Sequence, residues 1–343
     1  MKEIVEKFVN VYKETNLVGP CEETVDLREA ERTFKISEEN FHEFKAFDNT
    51  KKMIFVDGGN AELINTTNIS VHFIRTYGSV FESKRIYSIK KENYMIAYAT
   101  RDKKNSEIYY KVEFSPSYFD FQIDSFEESL REGNNRIPIS KIGDVTRRLC
   151  ELKTALHLSK KFSDSIILLD GNLKSNFQLE KNLLQELFDS GIKNKNIIAA
   201  LSKTSQLLTK NGRSVNNILM RTSKSLGLLE WYYYPIAKIR DENHKAEIVI
   251  VKLHKKSNYC FNFEIFNEQA DNIDEVLWHL KKNSKDPSFF GYPYGLIDAD
   301  RFARISNKEK DFLKTLLLTR IPKNISKDFV LNDSHDLLNK LIK

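Results

Sequence analysis

Two acidic residues each close an apolar run and precede a glycine: Asp57 after Met53-Ile54-Phe55-Val56, and Asp170 after Ile166-Ile167-Leu168-Leu169. An Asp-Gly step after a strand is ordinarily a turn. Two carboxylates brought together would repel, however, and a divalent cation relieves that repulsion. Hydrolysis of a phosphodiester by two ions needs about four oxygen-rich side chains, around ions roughly 3.5 to 4 Å apart. Glu151 supplies a third candidate, because it lies beside a leucine stripe and shares a helical face with Ala155 and Leu158. Asp300 supplies a fourth: it shares a face with Leu296, Ile297 and Ala303, which predicts an inward-pointing carboxylate, with Asp298 as its rival. The same acids have plainer readings as partners of nearby cations, Glu151 with Arg147 and Arg148, Asp300 with Arg304, and Asp298 with Arg301. Lys203 follows an apolar strand and is either a phosphate-holding cation or an ordinary surface lysine. The run Trp231-Tyr232-Tyr233-Tyr234 could stack on unpaired bases, but packing as a β-edge or dimer surface is the simpler expectation.

The elements that must position these residues follow from hydrophobic period. An amphipathic helix opens the chain, with Ile4, Val5, Phe8, Val9 and Tyr12 at helical spacing. A second helix is expected over Ser37–Phe47, then a strand ending at Asp57-Gly58-Gly59. Four alternating segments predict an antiparallel meander: Ser70–Arg75, Arg85–Ile89, Tyr94–Thr100 and Ile108–Phe114. Helices over Ser125–Arg131 and Asp144–Leu158 lead to a strand closing at Asp170-Gly171. Alternation then continues with a helix at Leu179–Ser190, a strand at Asn196–Leu201, a helix at Val215–Leu226, and strands at Ala246–Leu253 and Tyr259–Phe266. Closing helices cover Ile273–Lys281, a stretch from Gly295, and a segment through Leu318 that Ser306 and Glu309 open as a capping box. This order predicts an α/β, RNase H-like mixed sheet flanked by helices, with additional N- and C-terminal helices. Its first strand would lie beside the strand after the first core helix, setting Asp57 and Asp170 side by side. Glycine after each Asp would let the chain turn sharply and leave room for a phosphate.

Composition limits the alternatives. The 343 residues, 41% hydrophobic and 30% charged with only 12 Gly and 7 Pro, describe a globular chain with few linkers. One domain is the simplest division: an N-terminal helical segment over about 1–50, a core over about 51–305, and C-terminal helices over 306–343. Cys21, Cys150 and Cys260 form no CxxC pair and the seven His no HExxH, so neither a disulfide framework nor a zinc site is predicted. Without a secretory signal or an apolar run of about 18 residues, a cytoplasmic protein is expected. The net charge of +6, from 54 basic and 48 acidic residues, permits a polyanionic partner without indicating one.

The residues resemble those of the archaeal and bacterial NurA nucleases. The resemblance is carried by FVDGGN at 55–60, RRLCELKTAL leading to ILLDGNL at 167–173, LSKTS at 201–205, and GYPYGLIDADRFARI at 291–305. It implies an RNase H-like homodimer that cleaves DNA with Mn²⁺ or Mg²⁺, typically as a 5′ to 3′ exonuclease with single-strand endonuclease activity. It also implies a hexameric HerA-type translocating ATPase as partner in processing broken DNA ends. Asp57, Glu151, Asp170 and Asp300 match the family's acidic, metal-binding positions, and Tyr292 the aromatic residue beside them, in contact with DNA together with Lys203. Two departures stand out: Asp300 replaces a common His, and Gly295 a common Pro that would otherwise stiffen the entrance to its helix. The implied mechanism is in-line attack by an ion-activated water, without a Ser or Cys nucleophile. Competing readings are an actin- or sugar-kinase-like ATPase, for which 12 Gly are few, a non-catalytic DNA-binding subunit of a translocase, and a guided Piwi-like nuclease, for which the chain is short.

Overall fold

The computed structural model describes residues 1–16, 23–27, 30–102, 107–322 and 325. Helix α1 (Lys2–Asn16) precedes three short strands, β1 (Val25–Asp26), β2 (Ala30–Thr33) and β3 (Phe41–His42). Long strands β4 (Lys52–Asn65), β5 (Ile69–Glu82) and β6 (Lys84–Arg101) follow, then β7 (Ile108–Ser115), β8 (Phe121–Asp124) and helix α2 (Lys141–Lys161). Strand β9 (Ser165–Asp170), helix α3 (Gln178–Lys193) and strand β10 (Ile197–Ser202) make a parallel crossover. After β11 (Leu208–Thr209) come α4 (Val215–Ser225), β12 (Trp231–Tyr233), β13 (Ala237–Ile239), β14 (Ala246–Lys252) and β15 (Phe261–Phe266). Helices α5 (Ile273–Asn283), α6 (Tyr294–Ala303) and α7 (Asn307–Arg320) complete the described elements.

Eleven strands form one mixed sheet in the order β3-β12-β14-β15-β10-β9-β4-β5-β6-β7-β8. Its centre is the parallel trio β10-β9-β4, and the expected adjacency of the Asp57 and Asp170 strands is present as the β4–β9 pairing. Side chains alternate across β4 with a period of two, so it feeds two cores. Ile54 and Val56 pack with Leu149 and Leu152 of α2 and Leu187 of α3. Phe55 faces the other way, among Leu277 of α5 and Leu296 and Ala299 of α6. One strand therefore fixes the helices on both faces.

Four expectations need correction. β4 does not end at Asp57-Gly58-Gly59 but runs on to Asn65, because Gly58 and Gly59 stay in register with Thr76 and Arg75 of β5. The meander segments at Arg85–Ile89 and Tyr94–Thr100 are one strand, β6. Ser37–Phe47 holds a single 3₁₀ turn, Glu38–Asn40, after which Phe41 enters the sheet and sets its ring edge-on against Trp231 and Tyr233. Ser125–Arg131 forms turns, since the Asp124 carboxylate accepts the Phe126 N–H at 2.8 Å and competes with helical bonding. Trp231, Tyr232 and Tyr233 are buried one strand in from the sheet edge, which leaves no face for bases to stack on. Cys150 and Cys260 are buried free thiols, while Cys21 lies outside the described residues. Among the described residues no helix is long and apolar enough to cross a membrane.

The entrance to α6 is also tighter than expected. The Gly295 N–H donates to the Asn283 side chain at 3.0 Å, and a Cβ at Gly295 would lie 2.1 Å from the ring of Phe55. Phe55 is fully buried and cannot yield. Gly295→Ala is expected to cost about 1–3 kcal/mol by overpacking, lowering the melting temperature in a thermal scan by several degrees. An unchanged melting temperature would show that α6 does not depend on this close approach.

Candidate metal centre

The β4–β9 register pairs Val56 with Leu169, so the next residues, Asp57 and Asp170, emerge together. The position follows the rule that open α/β sheets bind ligands beyond the carboxyl ends of their parallel strands. Beyond Asp170 the chain does turn, with Gly171 at φ +119°. α6 reaches the same point from the Phe55 face. Its approach is close: a Cβ at Gly59 would sit 2.2 Å from the carbonyl oxygen of Ala303, the last residue of α6. Glycine at 59 thus serves helix packing, where the sequence had suggested a turn.

The outcome is a group of three carboxylates. One oxygen from each of Asp57, Asp170 and Asp300 lies within 4.8 Å of the others, with Asp57 buried, Asp170 half-buried and Asp300 exposed. Asp300 is not the inward residue of α6. That residue is Asp298, which is buried on the Phe55 side and bound to Arg85 at 2.8 Å. The helical phase explains the exchange: the buried stripe of α6 runs through Gly295, Leu296, Asp298, Ala299 and Ala303, leaving Asp300 on its rim. There Asp300 meets Lys203, as does Asp170, at 3.3 and 2.8 Å. The ion pairs of these acids thus lie outside α6, although Arg301 still acts electrostatically on Asp298 as a weaker neighbour than Arg85.

Charges in this group are held under tension. Burial, then Asp170 and Glu151, raise the Asp57 carboxyl from its ordinary range to about 7, against the opposing effects of the Gly58 N–H at 2.7 Å and of Lys203. Burial works against the Lys203 ammonium, yet Asp170 and Asp300 hold its pKa above normal. Tyr292 is only 3% exposed and its hydroxyl makes no geometrically sound hydrogen bond. Burial first and Asp170 next push that phenol well above its usual range, so it remains protonated beside the carboxylates. Lys203 also lies over the Tyr292 ring, 5.5 Å from its centroid.

Glu151 is adjacent but differently engaged. Its carboxylate is buried at α2, bonded to Arg147 one helical turn earlier and 3.7 Å from Arg148. Burial raises its pKa while the two arginines oppose the rise. Arg148 continues to Glu180 at 3.1 Å and to the Asn172 carbonyl at 2.6 Å, tying α2 to the loop after Asp170. Sequence reasoning foresaw the two arginines as partners but not that Arg147 lines the cavity containing Asp57, Asp170 and Asp300, as Arg304 does. The i to i+4 spacing of Arg147 and Glu151 was the available signal.

These residues fit a hard divalent cation. Three carboxylates with short mutual distances form an oxygen-only donor set, and the orphaned Tyr292 hydroxyl adds a buried polar atom next to them. Repulsion among the acids also predicts a stability effect independent of any ion. Asp57→Asn should raise the melting temperature of metal-free protein by a few degrees, and should abolish the further rise that Mn²⁺ produces in the wild type. A lower melting temperature in metal-free buffer would mean that the acids do not strain one another.

Comparisons with known proteins agree with this geometry. A search of curated protein sequences returned no match. Among solved structures, the NurA nuclease from Sulfolobus solfataricus superposes with a TM-score of 0.56 at 13% identity, covering 93% of each chain. Argonaute from Aquifex aeolicus (TM-score 0.30, 9% identity, 74% of this chain and 28% of that one) and Kluyveromyces polysporus Argonaute with a guide RNA (0.26, 10%, 72% and 26%) are too distant to argue from. The profile of the NurA domain matches residues 51–305, which run from the start of the Asp57 strand to just past the end of the Asp300 helix. On that match this chain belongs to the NurA family of DNA nucleases.

Proposed function

We propose that this protein hydrolyses DNA phosphodiester bonds with divalent cations held at Asp57, Asp170 and Asp300. The observation that carries the reading is the convergence of these three carboxylates where the parallel pairing of β4 and β9 ends and α6 closes over it, with the buried Tyr292 hydroxyl beside Asp170. Mn²⁺ or Mg²⁺ bound there would supply Lewis acidity toward the phosphate and lower the pKa of the attacking water. Glu151 is the fourth acidic residue of the centre and would contribute to a second ion if Arg147 turned to the substrate. Asp300 in place of the family's common His favours oxygen-loving ions.

The remaining groups act directly on substrate. Lys203 neutralises Asp170 and Asp300 in the free protein. With those carboxylates on a cation, its ammonium is released to hold a phosphate oxygen. Tyr292, kept protonated and buried against Asp170, would orient that carboxylate and would reach a phosphate oxygen only after its hydroxyl is uncovered. Neither Cys150 nor Cys260 can act as nucleophile, since burial pushes each thiol up to about 12.

The family resemblance extends the proposal to an RNase H-like core, 5′ to 3′ exonuclease action with single-strand endonuclease activity, a homodimer, and a HerA-type ATPase as partner in resecting broken ends. The apolar face of α1 supports assembly, because Ile4, Val5 and Phe8 are exposed and a second copy would cover them.

Digestion of 5′- and 3′-end-labelled linear DNA beside circular single-stranded DNA tests this reading. With Mn²⁺, the wild type should shorten linear DNA from the 5′ end and open the circle, and Asp57→Asn should retain less than about a hundredth of either activity. Full activity in Asp57→Asn, in a contaminant-free preparation, would refute the site. Inactivity of the wild type on both substrates would favour a non-catalytic subunit.

A further inference from the structure

The cavity that contains the carboxylates, about 450 Å³, does not stop at them. It continues along β4 over Gly58, Gly59 and Asn60 and is bounded by Arg147 of α2 and by Arg304 and Ile305 after α6. At about 3.3 Å per residue, Asp57 to Asn60 spans roughly 10 Å, long enough to run beside more than one phosphate of a strand. No side chain rises from Gly58 or Gly59, because Glu151 crowds one Cβ position and the Ala303 carbonyl the other. Asn60 is pinned by Asp144 at 3.2 Å and His72 at 2.9 Å. The floor is bare, fixed backbone.

Both arginines retain donors for a ligand. Arg147 uses Nη1 for Glu151 and, at 3.5 Å, for the Gly58 carbonyl; its Nε and Nη2 have no partner among the described residues. In the ion-free protein Glu151 holds it beside the groove. Arg304 has an exposed side chain that bonds no acid among the described residues, since Asp300 is taken by Lys203. Its backbone is anchored, with the N–H on the Asp300 carbonyl at 2.8 Å and the carbonyl on Arg75 at 3.1 Å. Two guanidinium groups from opposite helices thus line one groove that leads away from the reacting position.

We propose that Arg147 and Arg304 grip consecutive backbone phosphates of the DNA strand along β4, fixing the register of the bond presented to the carboxylates. The planar guanidinium fork suits phosphate oxygens. The contacts carry no sequence information and read the backbone only. This rests on the nuclease reading above.

Fluorescence anisotropy with a labelled single-stranded oligonucleotide, in Ca²⁺ to prevent hydrolysis, measures the contacts. Each phosphate contact contributes about 0.7 to the slope of log K against log salt on single strands. Arg147→Gln and Arg304→Gln should each reduce the slope by about that amount and weaken binding several-fold at low salt, raising KM more than they lower kcat. Arg147→Lys and Arg304→Lys should restore the slope. Arg301→Gln, on the same helix but outside the groove, should leave it unchanged, and circular dichroism confirms that each variant is folded. An unchanged slope in Arg147→Gln or Arg304→Gln, with a wild type that degrades DNA in Mn²⁺, overturns the clamp alone. A wild type that neither binds the oligonucleotide nor degrades DNA overturns the nuclease reading beneath it.

Discussion

Repulsion among Asp57, Asp170 and Asp300 is the constraint around which this structure is organised. Three carboxylates within 4.8 Å of one another, one of them buried, are unfavourable for a folded chain unless something else holds them there. The parallel pairing of β4 and β9 fixes the first two by register, with no freedom for either to slip without inverting a fully buried strand. The third arrives on α6, whose approach is secured at both ends by missing side chains: Gly295 over Phe55 at the start, and Gly59 under Ala303 at the finish. Lys203 then supplies a counter-charge that is exposed enough to be exchanged for another cation. Stability elsewhere in the two cores offsets the strain collected at this point.

The same logic accounts for the arginines nearby. Glu151 is buried at α2 and would be untenable as a lone charge. Arg147 and Arg148 neutralise it, and Arg148 also joins α2 to the loop that leaves Asp170. A network serving one buried acid therefore sets the geometry of the wall beside the carboxylates. It also separates this site from that of an actin- or sugar-kinase-like ATPase. Such an enzyme needs a phosphate-cradling loop at each Asp-Gly step, whereas Gly58 is in mid-strand with Glu151 against it.

Much of this was legible in the sequence, and for physical reasons. Strands buried on both faces read as continuous apolar runs, so the start of β4, β9 and β10 could be placed from their Ile, Leu, Val and Ala runs, while β14 and β15 showed as β-rich segments with polar residues interleaved. Their order gave the adjacency of Asp57 and Asp170, and the leucine stripe gave α2 and the burial of Glu151. Ser306 located the start of α7 because an N-cap is a local interaction: its hydroxyl accepts the Glu309 N–H at 3.2 Å, while the Glu309 carboxylate, expected to return to Ser306, binds Arg75 instead. Apart from Ser125–Arg131, where the neighbouring Asp124 carboxylate competes for a backbone N–H, what failed depended on contacts distant in sequence. Gly58-Gly59 looks like a turn unless one knows that α6 must rest on it. Asp300 and Asp298 are two residues apart on one helix, and only the packing of α6 against Phe55 decides which is buried. Trp231 to Tyr233 do pack as a strand, as expected over base stacking, but inside the edge and not at it, because β3, which covers that edge, comes from far earlier in the chain.

The central claim is that Asp57, Asp170 and Asp300 together constitute a divalent-cation site. Its most direct measurement is Mn²⁺ binding followed by electron paramagnetic resonance, in which bound ion disappears from the six-line signal of the free aquo ion. Wild-type protein is expected to remove Mn²⁺ from that signal, and Asp170→Asn, folded and at equal concentration, to leave it nearly intact. Equal uptake by the two proteins would contradict it.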